Sequence, residues 1–236
     1  MICQPPLYKA FFLRRYKRFL ADVRTPSGSV ITLHCPNTGS MRNCLVEDSD
    51  CWYSISDNPK RKYSGTWEVA TTASGHMAGI NTARANALVK EAIEFGIIRE
   101  LQRYQELRPE VKYGRESSRV DFLLSAPDRP DCYVEVKNVT FGMESGLGLF
   151  PDAVSERGSR HLRELISMRA QGKRAVLLFC VQHTGIEQVA PADKIDPVYG
   201  SLLRDAAAQG VEIIAYGCEI SERAIALKYP LSVDLS

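Results

Sequence analysis

The chain has 236 residues, 44% of them hydrophobic and 25% charged, with a formal net charge of +2. This length and balance suit one large or two small globular domains with ample core, and exclude a fibrous or strongly charged disordered chain. No stretch is apolar for long enough to span a membrane. The seven cysteines form no Cys-x-x-Cys pair, which favours reduced, buried thiols over disulfides or a zinc cage. The first residues lack the charged-then-apolar order of a secretion signal, so a cytoplasmic protein is expected.

The charge is uneven. Residues 1–75 carry ten Lys/Arg against six Asp/Glu. Lys9, Arg14, Arg15, Lys17, Arg18 and Arg24 crowd the start, with Asp22 as the one acid among them. Tyr16 and Phe19 are interleaved with these cations. That mixture suits either a solvated face or a strand that meets phosphate and stacks bases.

Strands are predicted at Phe19–Arg24 and Val30–His34 around a Thr25–Ser29 turn, then at Cys51–Ile55 and Thr66–Thr72. A loop of turn formers runs from Pro36 to Ser40, and Asn58-Pro59 marks another turn. Five or so short strands in seventy residues suit a small Greek-key barrel of the OB type over residues 1–80, a fold that often binds single-stranded or irregular nucleic acid. Trp52 and Trp67 are candidate stacking platforms, with the core the favoured place for both.

Residues 81–236 read as α/β with a partly parallel, mixed sheet. Thr82–Phe95 is a predicted helix with the stripe Ala85, Leu88, Val89, Ala92 and Ile93, stopped by Gly96. Val111–Tyr113 is a short candidate strand, and Phe141–Phe150 a Gly-rich strand-loop. A helix is expected over Ser155–Arg169, with Leu162, Leu165 and Ile166 inward and Arg157, His161 and Glu164 on the opposite flank. Gly158 would allow a close approach to this helix. Ala175–Val181 and Val211–Tyr216 are buried strands. A helix capped at Asp196-Pro197 runs to Gln209, and Ile225–Lys228 is an edge strand.

The chemistry concentrates in a hairpin of Val120–Leu124 and Cys132–Val139. Alternation puts Tyr133, Glu135, Lys137 and Val139 on one face. If Leu124 faces Cys132, Asp121 falls opposite Glu135 with β-carbons about 5 Å apart. Two carboxylates that close repel unless they share a proton or a cation. The hairpin is otherwise strongly apolar, so its charges need partners or a metal. Two acids and a lysine converging in this way suit a hard divalent metal beside a phosphate.

The stretches RRYKRFLADV (Arg14–Val23), HCPNTGSM (His34–Met41), VDFLL (Val120–Leu124), CYVEVKNVT (Cys132–Thr140), FPDAVSERGSRHLREL (Phe150–Leu165) and AVLLFCVQ (Ala175–Gln182) resemble, in order and over nearly the whole chain, the sugar fermentation stimulation protein A family. The resemblance implies an OB domain followed by a PD-(D/E)XK nuclease-like domain, non-specific DNA binding, and a regulatory role in maltose metabolism. It places Asp121, Glu135 and Lys137 on the nuclease signature, although Val120 stands where that signature has proline. It implies a Mg²⁺ or Mn²⁺ ion held by Asp121, Glu135 and the Val136 carbonyl. Glu91 on the preceding helix is a further candidate ligand, and Asp152 a candidate helper. Arg14, Arg15, Lys17 and Arg18, together with Arg157 and His161 on the later helix, are the candidate contacts to DNA phosphate. Two readings stand side by side: a metal-dependent nuclease, or a DNA-binding regulator without catalysis, either one able to form a homodimer.

Overall fold

The computed structural model describes residues 6–114 and 118–236. Six strands form the amino-terminal sheet: β1 (Leu7–Tyr16), β2 (Leu20–Arg24), β3 (Val30–His34), β4 (Asp50–Ile55), β5 (Gly65–Thr71) and β6 (Met77–Gly79). Their order is β3-β2-β1-β4-β5-β6, and a parallel bridge from His34 to Thr66 joins β3 to β5 and closes the barrel. The long β1 makes this possible: its first half pairs with β4 and its second half with β2. Trp67 is fully buried inside the barrel, stacked on Phe12 at 4.8 Å between ring centroids. Trp52 points the other way, into a core shared with the second domain. Neither tryptophan is a stacking platform.

The β1–β2 connection differs from the expected continuous basic strand. Lys17 and Arg18 are turn residues, both with positive φ (49° and 63°), at the tip of a tight hairpin. Such turns favour Asn and Gly, whose absence here hides the hairpin from sequence. The Arg15 guanidinium supports the tip by donating to the Arg18 carbonyl at 2.9 Å.

The second domain has helix α1 (Arg84–Glu94), then β7 (Glu106–Tyr113), β8 (Ser118–Ala126), β9 (Arg129–Val139) and β10 (Leu147–Phe150). Helix α2 (Glu156–Ala170), β11 (Arg174–Val181), β12 (Gln188–Pro191), α3 (Pro197–Ala208), β13 (Glu212–Ile220) and β14 (Ile225–Val233) complete it. The eight strands form one mixed sheet in the order β10-β12-β14-β13-β11-β9-β8-β7, with the apolar β9, β11 and β13 parallel at its centre. Helix α1 buries the five residues of its apolar stripe against one face of the sheet, and α2 and α3 cover the other. Ser155 caps α2 by accepting from Gly158 N at 3.0 Å, and Asp196 caps α3 by accepting from Tyr199 N at 3.0 Å. Gly158 lets the two helices meet, since a Cβ there would sit 3.0 Å from the Tyr199 ring. The cysteines at 35, 44, 51, 132, 180 and 218 are buried and unbonded, while Cys3 lies outside the described residues. No helix among the described residues is long and apolar enough to cross a membrane.

The domains are joined through several contacts. Gly79 N donates to the Gln182 carbonyl (2.8 Å) and Thr184 N to the Met77 carbonyl (3.0 Å), so β6 extends onto the end of β11. At the start of α1, Arg84 donates to the buried Glu68 of β5 at 2.6 Å, and Ser54 and Asn81 complete that carboxylate's partners. Burial pushes the Glu68 carboxyl up, but Arg84 and the other two donors outweigh it and hold it below its usual range. Removing one member strands a charge. Arg84→Met is expected to lower unfolding stability by about 3 kcal/mol in urea titration, and adding Glu68→Met should restore most of the loss.

Candidate active site between the two domains

Strands β8 and β9 pair Leu124 with Cys132, Leu123 with Tyr133 and Phe122 with Val134, the register that brings Asp121 opposite Glu135. The ladder stops at this point. The Val136 N–H donates instead to Asp121 Oδ2 at 2.7 Å, so a side chain takes the place of a strand partner. Asn86 of α1 donates to Asp121 Oδ1 at 2.8 Å. Both carboxylate oxygens are thereby fixed in direction. Burial, and next to it the charge of Glu135, still raise the Asp121 pKa above the ordinary aspartate range.

Glu135 is buried, with 2% of its surface exposed. Lys137 Nζ lies 2.8 Å from its Oε1, and His161 Nδ1 touches the same oxygen. Burial alone would raise this carboxyl; Lys137 and His161 together overcome it and hold it below its usual range. The second oxygen, Oε2, is buried and has no hydrogen-bond partner. The phenol of Tyr113 is another buried group without a partner, and its pKa is raised by burial and then by Glu135, Glu164 and Asp121.

His161 is therefore not on a solvated polar flank of α2. It is 3% exposed, as is Glu164, because α2 has a second buried face turned towards Glu135. Arg157, exposed at the rim, donates from Nε to His161 Nε2 at 3.4 Å. Nδ1 is the ring nitrogen that faces Glu135, with Lys137 Nζ 3.1 Å from it. In this structure His161 orients a carboxylate, and only Arg157 of the pair can reach solvent.

Next to these residues, over Asn86, Val136 and Lys137, lies a cleft of about 310 Å³ that Asp121 and Glu135 do not themselves line. Asn37, Thr38 and Gly39 of the barrel form one wall, Thr82 with Ala85 and Asn86 of α1 another, and Val136, Lys137 and Asn138 the floor. The barrel loop is held in place by Arg15, which donates to the Asn37 and Gly39 carbonyls at 2.8 and 3.1 Å. Arg15 is thus a structural brace, and Arg14 is paired with Asp22 at 2.8 Å. Lys17 and Arg18 are exposed, with no ion pair among the described residues. Asp152 borders the cleft, but its carboxylate accepts from Ser40 Oγ (2.9 Å) and Met41 N (3.3 Å), so it fastens the loop to the second domain.

Glu91 is placed elsewhere. Five residues beyond Asn86, it is about 140° further round the helix, where it lines a separate groove with Phe95, Ile97 and Lys228. Asn86 is the α1 residue that reaches the carboxylate pair. Its signal in the sequence was position alone, next to Ala85 at the edge of the apolar stripe.

The family model described as the sugar fermentation stimulation protein RE domain matches residues 83–224, and that of the SfsA N-terminal OB domain matches residues 13–80. Sugar fermentation stimulation protein homologs from Shewanella loihica and Teredinibacter turnerae are 60% identical over 227 residues and 58% identical over 235. These matches cover 96% and 100% of this chain, and 97% and 100% of the relatives. A solved structure of SfsA from Pyrococcus furiosus in complex with Ca²⁺ superposes with a TM-score of 0.87 at 28% identity, covering 99% of this chain and 98% of that one. The chain belongs to the sugar fermentation stimulation protein A family.

Proposed function

We propose that this protein binds DNA without sequence preference and cleaves its phosphodiester backbone with the help of Mg²⁺ or Mn²⁺. One observation carries the reading: Glu135 offers a buried oxygen with no partner, and opposite it stands the half-buried carboxylate of Asp121, whose charged form burial and Glu135 disfavour. Among the described residues no three His, Cys, Asp or Glu side chains converge on a metal position. Two carboxylates and the Val136 carbonyl, completed by water and phosphate oxygens, suit Mg²⁺, which keeps several waters and takes few protein ligands. The Ca²⁺ complex of the Pyrococcus furiosus relative supports a divalent ion for this chain as well.

An ion bound there would lower the pKa of a water and polarise the scissile phosphate. The protein's own groups have separable parts in this. Asn86 and the Val136 N–H hold Asp121 in direction, while Arg157 and His161 do the same for Glu135. Lys137 lines the cleft floor, where its ammonium faces a bound strand and can offset charge that builds on phosphorus. Lys17 and Arg18 provide unpaired charge for phosphate contact, which positions a strand without reading its bases.

One feature favours the regulator reading. Lys137 and His161 already compensate Glu135 without any ion, an arrangement a pure DNA-binding factor of sugar metabolism could keep. Activity separates the two. Wild type is expected to cut DNA only with Mg²⁺ or Mn²⁺, and Asp121→Ala or Lys137→Ala to lower the rate at least a hundredfold while DNA binding persists. Absence of cleavage of single-stranded, duplex and branched DNA with metal present leaves the regulator.

The two acids impose opposite pH dependences. The stability linked to Asp121, whose folded pKa is raised, is fully present below its ordinary value and lost as pH rises through the raised one. That linked to Glu135 is present above its ordinary value and lost as pH falls through the lowered one. At pH values below the raised Asp121 pKa, an incoming cation must displace a proton from that carboxyl. Mn²⁺ affinity, followed by calorimetry, is therefore expected to fall about tenfold per pH unit once Asp121 is protonated, beginning above the usual aspartate range. Affinity that stays flat down to about pH 4 would contradict this assignment.

Lys17→Gln with Arg18→Gln is expected to flatten the dependence of log affinity on log salt by about 1.4 for a single strand. Arg14→Gln should change it little, because Arg14 already faces Asp22.

A further inference from the structure

On one side of the barrel the cations are neutralised: Lys9 pairs with Asp50, Arg14 with Asp22 and Arg24 with Asp48. At the closure of the barrel they are not. The β4–β5 loop carries Lys60, Arg61 and Lys62 in succession, then Tyr63, with Asp57 as its one acid. Lys60 and Lys62 are exposed and have no ion pair among the described residues, while Arg61 donates to the Thr66 hydroxyl at 2.9 Å. The His34–Thr66 bridge brings this loop beside the end of β3, and Leu20, two residues past Arg18, pairs with His34. Burial and then the charge of Arg61 lower the His34 pKa, which marks how near the loop lies to that position. Five cations from two loops thus gather at one end of the barrel.

Beneath the β4–β5 loop is a groove of about 490 Å³, lined in part by Ser56, Arg61, Thr66, Asn81 and Arg84. Thr82, before α1, and Ala85 and Asn86 in its first turn line the cleft over Lys137. Residues 81–86 therefore form a ridge with the cleft on one side and this groove on the other. Two carboxylates line the groove: Glu68 is matched by Arg84, while Asp57 is exposed at its edge with no ion pair among the described residues, so the positive charge offered to an anion comes from the loop.

We propose that the β4–β5 loop, together with the groove beside it, is a second binding site, taking the backbone of a single-stranded nucleic acid as it runs out of the cleft; Arg61 lines the groove, and Lys60, Lys62 and Tyr63 lie on the same loop outside its lining. Lys60 and Lys62 would face phosphates, and Tyr63 would stack a base. The rings favour a single strand over a duplex: Phe19 is 48% exposed beside the Lys17–Arg18 turn, and Tyr63 is half-buried, with Lys62 over one face at 5.5 Å. Duplex bases are already stacked and cannot use such rings. The proposal rests on the reading that a strand occupies the cleft, and it adds where that strand goes.

The test uses fluorescein-labelled oligo-dT of about 5 and about 16 nucleotides, a span typical for one OB domain, titrated into the full-length protein in EDTA. Wild type is expected to bind the longer strand at least tenfold more tightly than the shorter. In Lys60→Gln with Lys62→Gln this length advantage should fall to threefold or less, and the salt slope for the longer strand should flatten by about 1.4. Tyr63→Ala should weaken the longer strand about tenfold. Variants that keep the full length advantage and salt slope overturn the second site while leaving the cleft reading intact. A wild type that binds both lengths equally also overturns it. Failure of wild type to bind either strand removes both readings. A duplex of the same length bound more tightly, with the variants affecting it equally, overturns the single-strand assignment.

Discussion

A carboxylate almost wholly removed from water is stable in its charged form only when the protein supplies the charge that water would have screened. Glu135 meets this condition through one oxygen, which receives both Lys137 and His161, while the other oxygen has no partner. Much of the second domain follows from that asymmetry. Strand β9 must alternate so that Glu135 and Lys137 share a face, and α2 must bury His161 as well as Leu162 and Leu165. The β8–β9 ladder must open where Asp121 turns back to Val136 N. An arrangement that concentrates negative charge on one side and positive charge on the other is suited to a cation and a phosphate together.

The barrel is part of this site. Its loop 36–41 forms a cleft wall, and that loop is held from both domains: by Arg15 on one side and Asp152 on the other. The buried Glu68–Arg84 pair and the β6–β11 junction keep α1 at a fixed angle, and α1 in turn presents Asn86 to Asp121. Residues of both domains line the cleft, so any molecule lodged there would touch both at once.

The parts legible in the sequence were those set by short-range periodicity. The β8–β9 register followed from alternation and from the single pairing of Leu124 with Cys132. The apolar stripe of α1 matched its buried face residue for residue, and Asp196-Pro197 marked the start of α3 correctly. The parts not legible depended on what lies across from a residue. His161 and Glu164 have the spacing of a polar helix face, and nothing local shows that a buried acid waits on that side. Glu91 was chosen as an acid, but the helix turns it towards Phe95, and an amide at Asn86 is what faces Asp121. Arg14 and Arg15 looked free because the Lys17–Arg18 hairpin lacks Gly or Asn; once that turn is known, Asp22 opposite Arg14 is apparent. Of strand β7 only the end, Val111–Tyr113, is legible, because Pro109 and four charges on an exposed edge mask the rest, and the four-residue β12 is too short to stand out.

A metal ion at this site would sit in the space between Asp121 and the free oxygen of Glu135. Crystals soaked in Mn²⁺ and measured at the manganese absorption edge examine it directly. The account predicts an anomalous peak within about 2.2 Å of Asp121, of Glu135 Oε2 and of the Val136 carbonyl oxygen. A map with no peak there at saturating Mn²⁺, and with both acids held as they are without it, would contradict the account.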